Sequence, residues 1–442
     1  MENQEISPDI LKKYGIIFDS QQKLSQFGGL ASFIAYLKKG EFRERLEREF
    51  GPFKGRSLMQ FILGLIAGAK TMKEIADAAK DPLIKSFLEN PVEEAQLGRD
   101  FRKFDRQEIE SLHEFNIAHS IYDFIDQIDH DEVLFFDIDA TPKIKYGHQE
   151  GVERGYVGQV HPEKCYQYLF IRLENRNTFL HGTIRSGSTH SQNDFCGYLD
   201  RFLPMLKKRW QNIWRGDSGY FNEAAFDRFS EHDATFYIKA PMSSSRLNLA
   251  QTSPDLVWSK EERGISYAQR VTETANSTKY IEVFKRSRIQ KEQMSLMDIA
   301  SYRYDCVATN DFSSDDEQIF KNYNKRANIE NNIKELKYDY HLGQIVTDSF
   351  DANDVITQAT LLAYLLMQHF KNELLPKDMQ KCRLSTVRHK LFLTPGRILN
   401  HARQSFLRIQ NVFCSENVYQ WVYKKIDELK TLLIAPPDLS AG

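Results

Sequence analysis

Apolar residues recur at helical intervals from about residue 24 to 125. The run Leu58-Met59-Gln60-Phe61-Ile62-Leu63 continues to Ile75, and Phe101, Phe104, Ile109 and Leu112 keep the same kind of spacing. Short polar breaks at Lys80-Asp81-Pro82 and Glu89-Asn90-Pro91 separate the helices. From residue 132 the period changes to two. Val133 to Ala140 predicts a strand, and Tyr166 to Leu173 and Thr178 to Ile184 predict two more, joined by the turn Glu174-Asn175-Arg176-Asn177. A helix through Phe195, Leu199, Phe202 and Leu206 follows the capping candidates Ser188-Thr189-His190-Ser191. Strand Asn212 to Arg215, helix Asn222 to Phe229 and strand Thr235 to Ile238 complete this region.

Three strands, then helix, strand, helix, strand is the order of a ribonuclease-H-like α/β core. Two acids sharpen that expectation. Asp139 ends the first strand and Asp217 the fourth, which are neighbours in such a sheet, so their carboxylates should converge at one edge. Asp137, two residues before Asp139, shares its strand face and is the runner-up for the same role. Residues 242 to 300 interrupt the core as a β-rich insertion. The core resumes with strand Tyr302 to Thr309 and a long helix capped near Asp315, and helix Val355 to Phe370 is apolar on every side and should be buried. The expected division is therefore 1–125 helical, 126–241 core, 242–300 insertion, 301–375 core and 376–442 helical. The helical ends are candidate DNA-binding segments, with Leu97 to Phe104 as a candidate recognition helix.

Composition narrows the field without deciding it. With 442 residues, 41% hydrophobic and 27% charged, the chain reads as globular and multidomain. No apolar run approaches the roughly 20 residues of a membrane span, and the first residues do not resemble a secretory signal, so a cytoplasmic protein is expected. The five cysteines, Cys165, Cys196, Cys306, Cys382 and Cys414, have no metal-binding or disulfide spacing and are expected to be reduced. A formal charge of −2 gives no general attraction to polyanions, so any nucleic-acid contact must be local. One basic stretch fits: Lys377, Lys381, Arg383, Arg388, Lys390, Arg397, Arg403 and Arg408 stand against Asp378 alone. A solvated helical surface would read the same way. The glycines at 147, 151, 155 and 158 predict a flexible loop, and no phosphate-binding fingerprint.

The helix after Asp315 carries the sharpest pattern. Tyr323, Arg326, Glu330 and Lys337 share a stripe about 60° wide at 100° per residue, beside the apolar positions Ile329, Ile333 and Leu336. A simple Arg326–Glu330 ion pair would be the plainer explanation. Yet Tyr323-x-x-Arg326-x-x-x-Glu330-x-x-x-x-x-x-Lys337 resembles, at every spacing, the Y-R-E-K signature of bacterial insertion-sequence DDE transposases. Asp139-Ala140-Thr141 and Arg215-Gly216-Asp217-Ser218-Gly219 resemble the two aspartate motifs of DDE domain group one, the thirteen-eighty-like insertion sequences. The resemblance covers about residues 130 to 370.

The resemblance implies a bacterial transposase, nucleoid-associated in the cytoplasm, that cuts and joins double-stranded DNA with two Mg²⁺ ions, Mn²⁺ serving as a substitute. Asp139, Asp217 and Glu330 would be both catalytic residues and metal ligands. Tyr323, Arg326 and Lys337 would hold DNA phosphates, and Trp258 would stack on a flipped base near the element's end. Joining two ends calls for a homodimer in the DNA complex. Two other readings compete: a ribonuclease-H-like nuclease without strand transfer, and a domesticated, non-catalytic DNA-binding derivative. Three converging carboxylates would only repel one another in the latter.

Overall fold

A computed structural model of the chain describes residues 23–157, 161–190, 192–207, 210–289, 302–401, 404–409 and 415–429. The described residues divide into two compact units, one of residues up to 97 with those from 370 on, the other of residues 98–369. Arg403, Cys414, Gly158, Ser191, the start of the chain and residues 290–300 of the expected insertion lie outside the described residues.

The second unit holds the sheet. Helix α1 (Arg106–Ser120) opens with a capping box, in which Asp105 and Glu108 satisfy each other's backbone N–H groups. Strands β1 (Leu134–Ile144), β2 (Glu153–Val157), β3 (His161–Leu173) and β4 (Thr178–Ser186) follow, then helix α2 (Phe195–Lys207) and β5 (Asn212–Gly216). Helix α3 (Glu223–Glu231), capped by the Asn222 side chain, leads to β6 (Thr235–Lys239). The core order is β4-β3-β1-β5-β6, with β3 antiparallel to both β1 and β4, and β1, β5 and β6 parallel. That is the ribonuclease-H-like arrangement expected from the element order.

The expected insertion extends this sheet. After helix α4 (Ser244–Thr252) come β7 (Ile265–Glu273), β8 (Lys279–Arg288) and β9 (Tyr302–Thr309), and β9 adds antiparallel to the edge of β6, carrying β8 and β7 beyond it. Helix α5 (Asp316–Asn324), capped by Asp315, is followed by α6 (Asn328–Asp339), and the two are separated by a 3-10 turn over Lys325–Ala327. The single helix expected there is therefore broken, and a stripe drawn at 100° per residue does not carry across the turn. The predicted glycine loop contains β2. Gly155 is required in it, because a Cβ there would meet the Gly187 carbonyl oxygen.

Apolar stacking fixes the layers. Phe136 on β1 stacks on Trp214 of β5 at 4.8 Å between ring centres, and Phe226 of α3 stacks on Phe236 of β6 at 4.3 Å. Helix α7 (Phe350–Leu374) is buried along nearly its whole length, as its all-round hydrophobicity predicts. Two of its buried polar groups are matched: Gln358 donates to the Gly182 carbonyl, and Asp354 meets His113 at 3.1 Å.

In the first unit, helices Ala31–Lys39, Phe42–Phe50, Pro52–Ala67, Met72–Ala78 and Pro82–Leu88 accompany helix Glu416–Glu428. The basic stretch is not wholly helical, because strands Gly396–His401 and Gln404–Ile409 pair within it after the break at Pro395-Gly396. One of its cations is structural. Arg388 donates to the carbonyls of Ile66 and Leu65 at the end of helix Pro52–Ala67. Among the described residues Cys165, Cys196, Cys306 and Cys382 are free thiols, and no helix is long and apolar enough to cross a membrane.

Candidate active site

Parallel pairing of β1 with β5 brings the two aspartates together. Ile138 lies opposite Gly216, so Asp139 and Asp217, each one residue further, come side by side just past the paired stretch. Strand β1 does not end at Asp139 as expected but runs on to Ile144, with Asp139 still paired to Phe170 of β3. Asp217 then caps the turn Ser218–Tyr220, its Oδ1 accepting from the Gly219 N–H at 2.8 Å. Asp139 stays largely buried, its side chain 16% exposed, and accepts from the Ala140 N–H at 3.0 Å. Burial pushes its carboxyl up to about 7, and the negative charges of Asp217 and Glu330 add to the effect against the opposing pull of Arg326. Glu330 stands exposed in the first turn of α6, near enough for its charge to be felt at Asp139.

Arg326 sits on the 3-10 turn between α5 and α6, with its Nη1 3.7 Å from Asp139 Oδ2. Its guanidinium is largely buried, faces both aspartates and hydrogen-bonds Tyr323, yet Nη1 itself has no hydrogen-bond partner. Tyr323, at the end of α5, packs against an apolar cluster of Tyr237, Ile281, Val283, Val307, Ile319 and Phe320. Lys337 reaches back from α6 to β1, donating to Thr141 Oγ1 at 2.5 Å and to the Pro142 carbonyl at 3.2 Å. Burial, reinforced by Lys143, lowers its ammonium below the usual lysine range.

Asp139, Asp217, Tyr323, Arg326, Glu330 and Lys337 thus gather about the middle of β1 and the C-terminal end of β5. Trp258 lies instead in a second apolar cluster with Ala240, Ala250, Leu256, Ala268, Phe284 and Cys306. The Arg286 guanidinium covers its ring at 4.5 Å, and no contact links it to the acids among the described residues. Asp137 has a different job from Asp139. It is fully buried and holds Arg215 Nε at 2.7 Å and Arg172 Nη1 at 2.8 Å.

Arg215 also pairs with Glu174 and donates to the Asn322 carbonyl beside Tyr323. This network ties β1, β3, β5 and α5 together two residues below each aspartate. Sequence reasoning quoted Arg215 as part of a motif without reading that role. It quoted Thr141 in the same way, without a role, although its place two residues after Asp139 on the same strand was the available signal.

The donor chemistry suits a hard divalent cation, which takes carboxylate oxygens. Among the described residues, however, no three acidic, histidine or cysteine side chains close around one point as they stand. Asp139, Asp217 and Glu330 share a neighbourhood, with the Arg326 charge facing both aspartates.

A family model described as transposase DDE domain group 1 matches residues 51–431. No curated protein matches the chain in sequence. Among solved structures, a piggyBac transposase in a synaptic complex with hairpin DNA aligns over 84% of this chain and 82% of its own, at 9% identity and a TM-score of 0.43.

Proposed function

The chain belongs to the transposase DDE domain group 1 family, and from that premise we propose that it excises and inserts a bacterial insertion sequence, cutting DNA at the element's terminal inverted repeats and joining the 3′ ends to a target. The observation that carries the reading is the register of β1 and β5, which sets Asp139 and Asp217 side by side with Glu330 within electrostatic reach. These three carboxylates would hold divalent cations, Mg²⁺ or Mn²⁺, which supply Lewis acidity to activate a water or 3′-hydroxyl and to balance the leaving alkoxide.

The chain's own groups handle the phosphate. Arg326 Nη1, which faces Asp139 at 3.7 Å but makes no hydrogen bond, is poised for a phosphate oxygen, and Tyr323 braces that guanidinium. Lys337, drawn in by Thr141, adds a second positive group on the β1 side. Residues 1–125 and 376–442 are proposed to bind the ends. Trp258 stays at the margin of the proposal, since Arg286 already covers its ring. Two ends require two active sites, so the working complex is proposed to be a homodimer on DNA.

Transfer of a labelled element end into plasmid DNA tests this reading. Covalent joining that needs Mg²⁺ or Mn²⁺ supports a transposase. Metal-dependent cutting without joining would leave a nuclease, and DNA binding with neither activity would leave the non-catalytic derivative.

A further inference from the structure

The face of the added strands beside Tyr323 holds a basic cleft of about 440 Å³. Its floor follows from the pleat. Asp305 of β9 lies opposite Lys285 of β8, Arg303 opposite Ser287, and Val307 opposite Lys239 of β6, so alternate residues of three adjoining strands share one face. Phe320, Tyr323 and Asn324 of α5 form the wall, and Arg288 stands at the rim.

Four cations thus line the cleft against one acid. Asp305 is taken by Lys239 at 2.9 Å, with Arg303 more distant at 3.9 Å. Arg288 pairs outward with Glu261 at 3.0 Å. Lys285 reaches no carboxylate among the described residues, its ammonium resting 5.5 Å from the Phe320 ring centre. The cleft neighbours the acid site through Tyr323, which lines it and hydrogen-bonds Arg326.

Resting on the function proposed above, we propose that this cleft seats the phosphodiester backbone of the DNA strand adjoining the cut. Excess positive charge in a concave, ligand-sized space recognises a polyanion, and its opening beside Tyr323 aligns a bound strand with Asp139 and Asp217. Lys285 and Arg303 are its main phosphate contacts.

The test measures binding of the full chain to a labelled DNA duplex of mixed sequence over a salt series. Each lost phosphate contact flattens the plot of log affinity against log salt by about 0.9. The K285A/R303A double variant is expected to give a slope about two units flatter than wild type, whereas K285R/R303K keeps the wild-type slope. An unchanged slope in the alanine pair overturns the proposal. So does equal flattening in the charge-conserving pair, which would mark a packing defect. Loss of thermal protection by inorganic phosphate with no change in DNA slope would also overturn it, marking a site for small anions only. Strand transfer measured on the same wild-type preparation fails or succeeds independently, so the transposase reading and the cleft can fall separately.

Discussion

Asp137 and Asp139 point to the same sheet face two residues apart, and replacing each by Asn should have opposite consequences. Asp137 is fully buried, with one oxygen on Arg215 and the other on Arg172. Neutralising it leaves the two guanidiniums with one carboxylate, Glu174, and two neutral acceptors, the Asn322 carbonyl and the Asn177 side chain, and so strands a positive charge in the core. Removing one member of a buried ion pair costs about 3–5 kcal/mol. At about 2–4 °C per kcal/mol for a unit of this size, the melting temperature should drop by roughly 10 °C.

Asp139 has a single ion partner, at 3.7 Å, and two acids that repel it, so Asp139→Asn should melt at or above the wild-type temperature while losing cleavage. Thermal unfolding followed by circular dichroism at pH 7 without metal, beside a cleavage assay, reads both effects. The reasoning is refuted if Asp137→Asn melts like wild type but is inactive, or if Asp139→Asn melts about 10 °C lower.

Three further outcomes are expected. Burial favours the protonated form of Asp311, but hydrogen bonds from Ser314, Ser313 and Tyr237 outweigh it and hold the carboxyl at about 2. The stabilisation is present above the ordinary carboxylate range and is lost as pH falls from about 4 to 2. Discounted for its solvent exposure, it amounts to about 1 kcal/mol, so denaturant melts of Asp311→Asn should trail wild type by that amount at pH 7 and converge with it near pH 2. Lys337→Met should lower single-turnover cleavage roughly a hundredfold, as expected for losing one positioned donor, with a melting temperature close to wild type; undiminished cleavage would remove Lys337 from the site. Trp258→Ala should cost about 2 kcal/mol in chemical denaturation, below the full value for a buried aromatic because the ring is only partly buried, and no loss would show that its cluster is not part of the core.

The sheet was legible because its strands are written in period two and bounded by turn residues, as in Glu174 to Asn177 between β3 and β4. The pairing of Asp139 with Asp217 could be read only through the order of elements, since no local pattern joins residues so far apart. The ion network beneath them was hidden for the same reason: Asp137 finds its partners 35 and 78 residues away. Nothing in Lys325-Arg326-Ala327 warned of the break between α5 and α6, because all three residues favour a continuous helix. The strand pair after Gly396 was masked by its charge run, although Pro395-Gly396 marked a turn. Arg388 looked like part of a basic surface because a helix-end contact leaves no trace in local composition.

The most direct test of the three-carboxylate site is cleavage of a DNA end in Mg²⁺ by wild type and by Asp139→Asn, Asp217→Asn and Glu330→Gln, each compared at equal folded fraction and equal DNA occupancy. Wild type should cut, and each variant should bind the same DNA without cutting, since each exchange removes a charge and little volume. A variant that cuts at a rate near wild type would take that residue out of the site, and cutting by both aspartate variants would contradict the account.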